Sequence, residues 1–381
     1  MLKPRILVVD DAVVVRRIVT SVLGDEPDLE VVGTAPNGRI ALQKIEQLNP
    51  DLVTLDIEMP VMDGLETLKA LRKSYPRLPV IMFSTLTERG AAVTMEALMH
   101  GANEYVTKPA NVGSVTEAME RIREELVPKI QALTGLSPRP TAGRHTSGHT
   151  PQPTAPARPT PGAGHTPSPR VPRRPSGRTP ELPVQAVVIG ISTGGPNALA
   201  ELVPALPRDL GVPILIVQHM PPMFTRLLAE RLDTNSPLTV REAGHDEWVQ
   251  PGHVLLAPGG RHLEVHRKGT RVYTAITEGP LENSCRPSAD VLFRTAARAF
   301  GSGLLGVIMT GMGADGRRGT EHVRDVGGHV LAQDEASSVV WGMPGAAVQA
   351  GTVDAVLPLC ELAREIADRV HNATPEQVGR R

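Results

Sequence analysis

The chain has 381 residues and a formal net charge of −1, and its hydrophobic and charged fractions, 40% and 21%, are typical of a globular protein with about two domains. Its two cysteines are too few for a disulfide framework or a cysteine-built structural zinc site, and no apolar run reaches the ~20 residues of a membrane helix. The N-terminus lacks the pattern of a signal peptide, so we expect a cytoplasmic protein without membrane insertion.

Five apolar runs in the first third of the chain alternate with segments of helical spacing. The runs cover residues 5–9, 29–35, 52–55, 80–83 and 104–106. Leu65, Leu68 and Leu71 show the helical spacing that follows such a run. Strands that alternate with helices form parallel sheets covered on both faces and joined by right-handed crossovers. We therefore predict a five-stranded parallel α/β domain.

Acidic residues follow the first and third of these runs. Asp10 and Asp11 end the first run, and Asp56 ends the third. The carboxyl ends of parallel strands share one edge of the sheet, so repulsion among these carboxylates favours a bound divalent cation such as magnesium. Ser84 and Lys108 follow the fourth and fifth runs, which adds a hydroxyl and an ammonium group to the cluster. This set of groups predicts transfer of a phosphoryl group onto Asp56.

These motifs resemble the receiver domain of response regulators. The resemblance covers residues 4–126 and rests on the acidic pair at 10–11, the segment 55–64, Ser84 and Lys108-Pro109. It implies a flavodoxin-like parallel sheet and phosphorylation by a histidine kinase.

The resemblance also implies a role for individual residues. Asp56 is the implied phosphoacceptor. Magnesium is implied at Asp10, Asp11, Asp56 and the backbone carbonyl of Glu58, with Asp10 supporting the other ligands. The residues implied to contact the phosphoryl group or to reorient with it are Ser84, Tyr105 and Lys108. A receiver controls an output, which we expect in the second half of the chain.

Residues 134–183 form a tract of Pro, Thr, Arg, Gly and His with seven arginines and one acidic residue, Glu181. Such a stretch buries too little apolar area to offset its conformational entropy, and its prolines keep it locally extended. We interpret it as a solvated linker. Contact of this basic tract with nucleic acid or an anionic surface is the alternative.

After the linker, the pattern again indicates an α/β domain. Three apolar runs cover residues 186–191, 212–217 and 304–310. Helical spacing follows the first run and precedes the last. Between 238 and 278, short runs broken by Pro-Gly and Gly-Gly predict antiparallel hairpins. We therefore expect a doubly wound parallel sheet with a β-hairpin insertion.

The segment 190–194, Gly-Ile-Ser-Thr-Gly, has the glycine spacing of a nucleophile elbow and lies between a predicted strand and a predicted helix. Glycine on both sides permits a sharp turn that exposes the hydroxyl of Ser192. A glycine-rich phosphate-binding turn is the alternative, but the segment lacks both the G-x-G-x-x-G spacing and a P-loop lysine. We favour Ser192 as a nucleophile, with backbone N–H groups of Thr193 and Met312 as candidate oxyanion donors.

A serine nucleophile needs a base and an acid that orients the base. Among 12 histidines, His219 ends the predicted strand that follows the Ser192 unit, and Asp315 lies in the loop after the 304–310 strand. Asp290 and Asp334 are weaker candidates for the acid. The order Ser, His, Asp differs from the Ser, Asp, His order of α/β-hydrolases, so a lipase-type fold is disfavoured.

These motifs resemble the catalytic domain of the chemotaxis protein-glutamate methylesterase (CheB) family. The resemblance covers residues 182–370, with a catalytic domain at 184–372. Its motifs are the segments 190–195, 218–222, 257–259, 286–288, 311–316 and 342–344. It implies that Ser192, His219 and Asp315 form the catalytic triad.

The family resemblance also implies a reaction and its partners. The expected reaction is hydrolysis of glutamate methyl esters, together with deamidation of specific glutamines, on the cytoplasmic helices of methyl-accepting chemoreceptors. No cofactor is expected in the esterase site. We expect the unphosphorylated receiver to cover the triad and phosphorylation of Asp56 to loosen that packing.

Two other classes of function compete with this hypothesis. A transcriptional response regulator needs a helix-turn-helix or similar output with a basic face. The region after the linker reads as α/β and is not basic, and aromatic residues are only 2% of the chain, so we expect no nucleic acid partner. A catalytically inactive scaffold of the same fold is the second alternative.

Overall fold

The computed structural model describes residues 3–85, 87–108, 114–136 and 183–372. The first domain alternates strands and helices in the order β1 (Arg5–Val9), α1 (Val13–Gly24), β2 (Glu30–Ala35), α2 (Gly38–Leu48), β3 (Leu52–Asp56), α3 (Gly64–Ser74), β4 (Val80–Ser84), α4 (Glu88–Met99), β5 (Glu104–Thr107) and α5 (Val115–Leu133). The strands form one parallel sheet in the order β2-β1-β3-β4-β5. The predicted five-stranded parallel sheet is confirmed.

The order of these strands determines where the acidic cluster lies. From β1 the chain winds outward to β2, and then returns to place β3 on the other side of β1. The carboxyl ends of β1 and β3 therefore flank the point at which the winding reverses, where open α/β sheets bind ligands. Every residue of β3 is buried, so Asp56 at its end is held by a strand packed on both faces.

The predicted linker at 134–183 lies outside the described residues except at its two ends. Helix α5 ends at Leu133, and the next described strand begins at Ala186. None of the helices in the described ranges combines the length and the apolar character that a bilayer span requires.

The second domain contains nine strands and six α-helices within 183–372. In chain order they are β6 (Ala186–Ile191), α6 (Gly195–Leu202), β7 (Ile214–Gln218), α7 (Pro222–Asn235), β8 (Thr239–Glu242), β9 (His253–Leu256), β10 (His262–Lys268), β11 (Arg271–Thr277), α8 (Ala289–Phe300), β12 (Leu304–Ile308), α9 (Arg317–Asp325), β13 (His329–Gln333), α10 (Gly342–Gln349), β14 (Ala355–Leu357) and α11 (Leu359–Asn372). Seven of the strands form a parallel sheet in the order β14-β13-β12-β6-β7-β9-β8. Its winding reverses at β6, between β12 and β7.

The expectation of antiparallel hairpins between 238 and 278 is only half right. Strands β10 and β11 do form an antiparallel hairpin, outside the main sheet. Strands β8 and β9 instead join the main sheet in parallel, with β9 beside β7. The reason is burial: Val254, Leu255 and Leu256 are all fully buried, which is the pattern of a strand covered on both faces rather than of a half-exposed hairpin.

The two domains pack directly against each other. Helix α4 of the first domain lies against α6 and α7 of the second. The rings of Tyr105 and Phe224 stack with centroids 4.6 Å apart and planes 11° from parallel. Asn197 Nδ2 donates a 3.0 Å hydrogen bond to the Ala102 carbonyl, and Arg226 pairs with Glu88 at 3.1 Å. The first domain thus contacts the helices that begin just after Ser192 and His219.

Candidate functional site

Ser192 and His219 occupy equivalent positions on neighbouring strands. Ile191, the last residue of β6, is in register with Gln218, the last residue of β7, and Ser192 and His219 come next in each strand. The His219 N–H donates to the Ile191 carbonyl at 3.3 Å, and Gln218 Nε2 donates to the Ser192 carbonyl at 3.0 Å. Since adjacent strands lie ~4.8 Å apart, the two residues emerge side by side at one edge of the sheet.

The chain turns sharply after Ser192, and glycine is required in that turn. Gly194 has φ +78°, a left-handed conformation that favours glycine. At Gly195 an added Cβ would lie 1.8 Å from Gln218 Oε1, so a larger residue would displace the Gln218 amide that bonds to the Ser192 carbonyl. The backbone N–H groups of Thr193 and Met312 donate no hydrogen bond within the described part of the chain. Both are therefore available to an external acceptor.

Asp315 is hydrogen-bonded to His219. Its Oδ2 lies 2.8 Å from His219 Nε2, and the carboxylate is 2% exposed. Burial alone would raise the pKa of Asp315, but the hydrogen bond from His219, helped by other donors, lowers it to about 2. For His219 the effect of burial is the opposite and would lower the pKa. The bond to Asp315 and a contact with Cys285 instead raise it to about 9. The pair therefore strongly favours a charged carboxylate beside an imidazolium.

Four further donors converge on the Asp315 carboxylate. They are Ala289 N at 2.6 Å, Ser288 Oγ at 2.7 Å, Asn283 Nδ2 at 2.7 Å and Asp290 N at 3.2 Å. Two of them are backbone N–H groups at the start of α8, where the helix dipole also stabilises an anion. The carboxylate is thus fixed in position and fully hydrogen-bonded.

The bond from Nε2 to Asp315 fixes which ring nitrogen of His219 can act as a base. In the neutral ring, the Nε2 hydrogen points to the carboxylate and Nδ1 carries the free lone pair. Nδ1 lies 3.7 Å from Cys285 Sγ. Among the described residues, no hydrogen bond joins Ser192 Oγ to this nitrogen. The structure therefore brings His219 and Asp315 into contact and places Ser192 on the adjacent strand end without closing the third contact.

The two weaker candidates for the orienting acid are occupied elsewhere. Asp290 is buried, and its carboxylate accepts from Asn283 Nδ2 at 2.8 Å and from the Gly319 N–H at 2.6 Å. Asp334 directly follows β13, yet its Oδ1 accepts from the backbone and the hydroxyl of Ser337. Neither carboxylate has a hydrogen bond to His219.

Sequence reasoning missed three residues that shape this site. Ser288 lies in one of the motifs that carry the family resemblance, so its position was available as a signal. Asn283 and Cys285 lie in a turn with no periodicity. Asn283 has φ +52°, and no pattern in the sequence predicts this conformation. Their proximity to Asp315 and His219 comes only from the folded chain.

The acidic cluster of the first domain also comes together. One carboxylate oxygen from each of Asp10, Asp11 and Asp56 lies within 4.8 Å of the others. Lys108 Nζ contacts Asp56 Oδ1 at 2.7 Å and Asp10 Oδ2 at 3.0 Å. The other oxygen of Asp56 is buried and has no hydrogen-bond partner among the described residues. Burial raises the pKa of Asp56 to about 6 despite the opposing charge of Lys108. An orphaned buried oxygen within a carboxylate cluster suits a hard divalent cation.

The remaining predicted residues of the first domain surround this cluster or connect it to the second domain. Glu58 is exposed two residues after Asp56, and Pro109 lies outside the described residues. Ser84 is buried and accepts a 2.5 Å hydrogen bond from Thr94 in α4. Tyr105 is 6% exposed and stacks on Phe224. Ser84 and Tyr105 therefore link the acidic cluster to the elements that contact the second domain.

Two family models and full-length relatives match this chain. Residues 187–366 match the model described as CheB methylesterase, and residues 6–120 match the response regulator receiver domain. A protein-glutamate methylesterase/protein-glutamine glutaminase of Nocardioides sp. is 50% identical over 377 residues, which cover 98% of this chain and 97% of the relative. A protein of the same name from Trichodesmium erythraeum is 48% identical and covers 97% of this chain and 100% of the relative. The crystal structure of the Thermotoga maritima CheB methylesterase catalytic domain shares 42% identity, covers 48% of this chain and 97% of that chain, and gives a TM-score of 0.48.

Proposed function

Because the chain belongs to the CheB methylesterase family and carries a response regulator receiver domain, we propose that it is a protein-glutamate methylesterase and protein-glutamine glutaminase controlled by phosphorylation. The observation that carries the proposal is the 2.8 Å hydrogen bond between Asp315 and His219, placed beside the strand end that presents Ser192. This arrangement supplies a positioned base next to a half-buried serine.

The reaction follows from the orientation of the imidazole. Ser192 Oγ attacks the γ-carbonyl carbon of a glutamate methyl ester while its proton passes to Nδ1 of His219. Asp315 stabilises the imidazolium that forms, and the imidazolium then protonates the departing methanol. Water, deprotonated by Nδ1, cleaves the acyl-enzyme and releases glutamate and free Ser192. An amide passes through the same tetrahedral intermediate, so glutamine is deamidated by the same groups, with ammonia as the leaving group.

The tetrahedral intermediate carries a negative oxygen that needs donors. The backbone N–H groups of Thr193 and Met312 are unengaged in the described part of the chain and flank Ser192 from two loops. Removing one such donor from an oxyanion hole costs about 10²–10³ in rate. We assign the oxyanion hole to these two groups.

The substrates and the phosphodonor follow from the family. We infer that the glutamyl residues lie on the cytoplasmic helices of methyl-accepting chemoreceptors and that a chemotaxis-type histidine kinase supplies the phosphoryl group. Both assignments place the enzyme in the cytoplasm. No nucleic acid partner or membrane insertion is part of the proposal.

Control by phosphorylation is supported by the packing of the two domains. Asp56 is the proposed phosphoacceptor, and Asp11, Asp56 and the Glu58 carbonyl would hold magnesium, with Asp10 in support. When bound, this cation neutralises charge on the phosphoryl oxygens. Lys108 holds the Asp56 carboxylate in place. Ser84 bonds to α4, and α4 packs on α6 and α7, so a change at Ser84 reaches the helices that follow Ser192 and His219.

Methanol release from methylated receptor fragments tests the proposal. We expect release by the wild-type chain, loss of release in Ser192→Ala, and faster release after treatment with a small-molecule phosphodonor and magnesium. A fluorophosphonate probe should label Ser192, which distinguishes an enzyme from a scaffold. Methanol release by Ser192→Ala would reject this nucleophile, and equal rates before and after phosphorylation would reject control through Asp56.

A further inference from the structure

Cys285 lies against the proposed catalytic base, and the proposed reaction does not use it. Its Sγ is 3.7 Å from His219 Nδ1, the nitrogen that carries the free lone pair. Its other contact is the Asn283 carbonyl at 3.3 Å. Cys285 is partly exposed, and the His219 side chain is 14% exposed.

The distance between these two atoms is that of two ligands on one tetrahedral zinc ion. Zinc binds cysteine sulfur at about 2.3 Å and histidine nitrogen at about 2.0–2.1 Å, so a tetrahedral angle separates the two ligand atoms by about 3.6 Å. The observed 3.7 Å needs almost no adjustment. Zinc and other soft or borderline cations also bind thiolate and imidazole, whereas magnesium binds oxygen ligands.

His219 is already oriented as metal-binding histidines usually are. Such a histidine donates its second ring N–H to a carboxylate, which fixes the tautomer and raises the basicity of the ligating nitrogen. Asp315 plays this part at Nε2, at 2.8 Å. Since the oxygens of Asp315 accept from four other donors, the carboxylate supports the imidazole rather than binding the ion.

The turn that carries Cys285 is fixed on both sides. Glu282 and Cys285 exchange two backbone hydrogen bonds, of 2.9 and 3.1 Å. The Glu282 carboxylate receives two bonds from Arg294, at 2.8 and 3.0 Å, and Asn283 is tied to Asp315. The sulfur therefore needs little reorganisation to bind an ion, which favours affinity.

We propose that Cys285 and His219 form a binding site for a borderline or soft divalent cation such as Zn²⁺, and that the bound ion turns off the esterase. On binding, the Cys285 thiol and Nδ1 of the His219 imidazolium each lose a proton to solvent, and the thiolate and the Nδ1 lone pair then bind the metal. Water fills the remaining positions. The lone pair that accepts the Ser192 proton is then occupied. With only two protein ligands, inhibition is reversible by a chelator.

Thiol labelling of the full chain tests for the site without relying on catalysis. The protein, with magnesium in excess to occupy the acidic cluster, is alkylated with iodoacetamide with and without Zn²⁺, and each cysteine is followed by mass spectrometry. Cys360, which is exposed, is the internal control. At a zinc concentration ten times Kd, about one site in ten stays free, so alkylation of Cys285 should slow roughly ten-fold while that of Cys360 is unchanged. Unchanged alkylation of Cys285 at zinc concentrations that inhibit the enzyme would refute the site.

Inhibition of methanol release provides the second measurement, and this arm rests on the proposed esterase function. Zn²⁺ should inhibit wild type and Cys360→Ala alike, and EDTA should restore both. In Cys285→Ala, the half-inhibiting zinc concentration should rise at least about ten-fold, with each rate normalised to that of the same variant without zinc. Equal inhibition of Cys285→Ala and Cys360→Ala by zinc would overturn the proposal. A wild-type chain that releases no methanol even without zinc would instead reject the esterase function, and the labelling result would still decide the metal site.

Discussion

The two acidic sites of this chain have the same position in their sheets but opposite electrostatic designs. Asp56 ends a parallel strand and Asp315 lies in the loop after one, each where the winding of its sheet reverses, and both are 2% exposed. Asp56 has an oxygen with no hydrogen-bond partner among the described residues, and burial raises its pKa to about 6. Asp315 accepts hydrogen bonds from five groups, and its pKa falls to about 2 despite burial.

The difference matches the role that we propose for each carboxylate. A carboxylate that reacts and binds a cation must keep an oxygen free, and before the cation arrives it is destabilised by burial. A carboxylate that only orients a histidine is best when every lone pair is satisfied, because its charge and position then stay fixed. The number of hydrogen-bond partners of each buried carboxylate is therefore what distinguishes the proposed reactive acid from the proposed positioning acid.

The largest expected effect comes from replacing the fully bonded acid. In Asp315→Asn, an amide N–H can face Nε2 of His219, which shifts the imidazole hydrogen to Nδ1 and removes the base. We expect kcat for methanol release to fall about 10⁴-fold with the fold intact. Asp334→Asn is the matched control, because Asp334 also follows a strand, but the hydrogen bonds to its carboxylate among the described residues come from Ser337. A loss of less than ten-fold in Asp315→Asn would show that Asp315 does not fix the tautomer.

The pH dependence of the esterase should reveal the charge on His219. The hydrogen bond to Asp315 and the contact with Cys285 overcome the effect of burial and raise the pKa of His219 to about 9, so the imidazole is protonated and inactive as a base at neutral pH. We expect kcat/KM to rise about ten-fold per pH unit below pH 8 and to level off above pH 9. Background hydrolysis measured with Ser192→Ala is subtracted. An inflection near the usual histidine pKa would mean that the Asp315 bond does not hold the imidazolium in the working enzyme.

Replacing the under-bonded acid should stabilise the receiver. The raised pKa means that folded Asp56 binds its proton more tightly than unfolded Asp56 does. Protonation of Asp56 therefore stabilises the folded receiver below about pH 4, and this contribution is lost as the pH rises through about 6. Asn does not ionise, so without magnesium Asp56→Asn should raise the free energy of unfolding by about 3 kcal/mol at pH 7 and by less than about 1 kcal/mol at pH 4. Amide hydrogen exchange of β3 measures this within the full chain.

Asp11→Asn is the control for that measurement. Asp11 belongs to the same cluster but is exposed, so its replacement should change the exchange of β3 little at either pH. A stabilisation of Asp56→Asn that is the same at pH 4 and pH 7 would show that it does not arise from ionisation of the buried carboxylate.

Sequence reasoning found the residues that follow strands and missed those that do not. Ser192, His219 and Asp315 come directly after apolar runs or in the loops that follow them, and parallel topology then forces them to one edge. The same logic found Asp10, Asp56 and Lys108. It failed for β8 and β9, because a short buried strand and a hairpin strand look alike when Pro-Gly follows.

The residues that complete the esterase site have no such pattern. Asn283, Cys285 and Ser288 belong to a turn and a helix start whose approach to Asp315 depends on how α8 packs against the main sheet. Side-chain contacts between segments far apart in sequence leave no periodic trace in either segment. Where a buried carboxylate gets its donors is therefore information that only the packed structure contains.

Asn283 gives the smallest predicted effect and the most specific one, because it distinguishes orienting the acid from simply filling the turn. Losing one hydrogen-bond donor to a carboxylate costs about 1.5–3 kcal/mol, and part of this loss raises the energy of the transition state. We therefore expect Asn283→Gly to lower kcat about ten-fold and to leave KM unchanged. Glycine accepts the φ of +52° without strain, whereas Asn283→Ala adds strain, so agreement between the two variants isolates the lost donor. Active sites are counted by fluorophosphonate titration of Ser192, and Asn235→Ala, at an exposed position in α7, is the control. If kcat per titrated site stays at the wild-type value, Asn283 only stabilises the turn, and the full bonding of Asp315 is not what sets its role apart from that of Asp56.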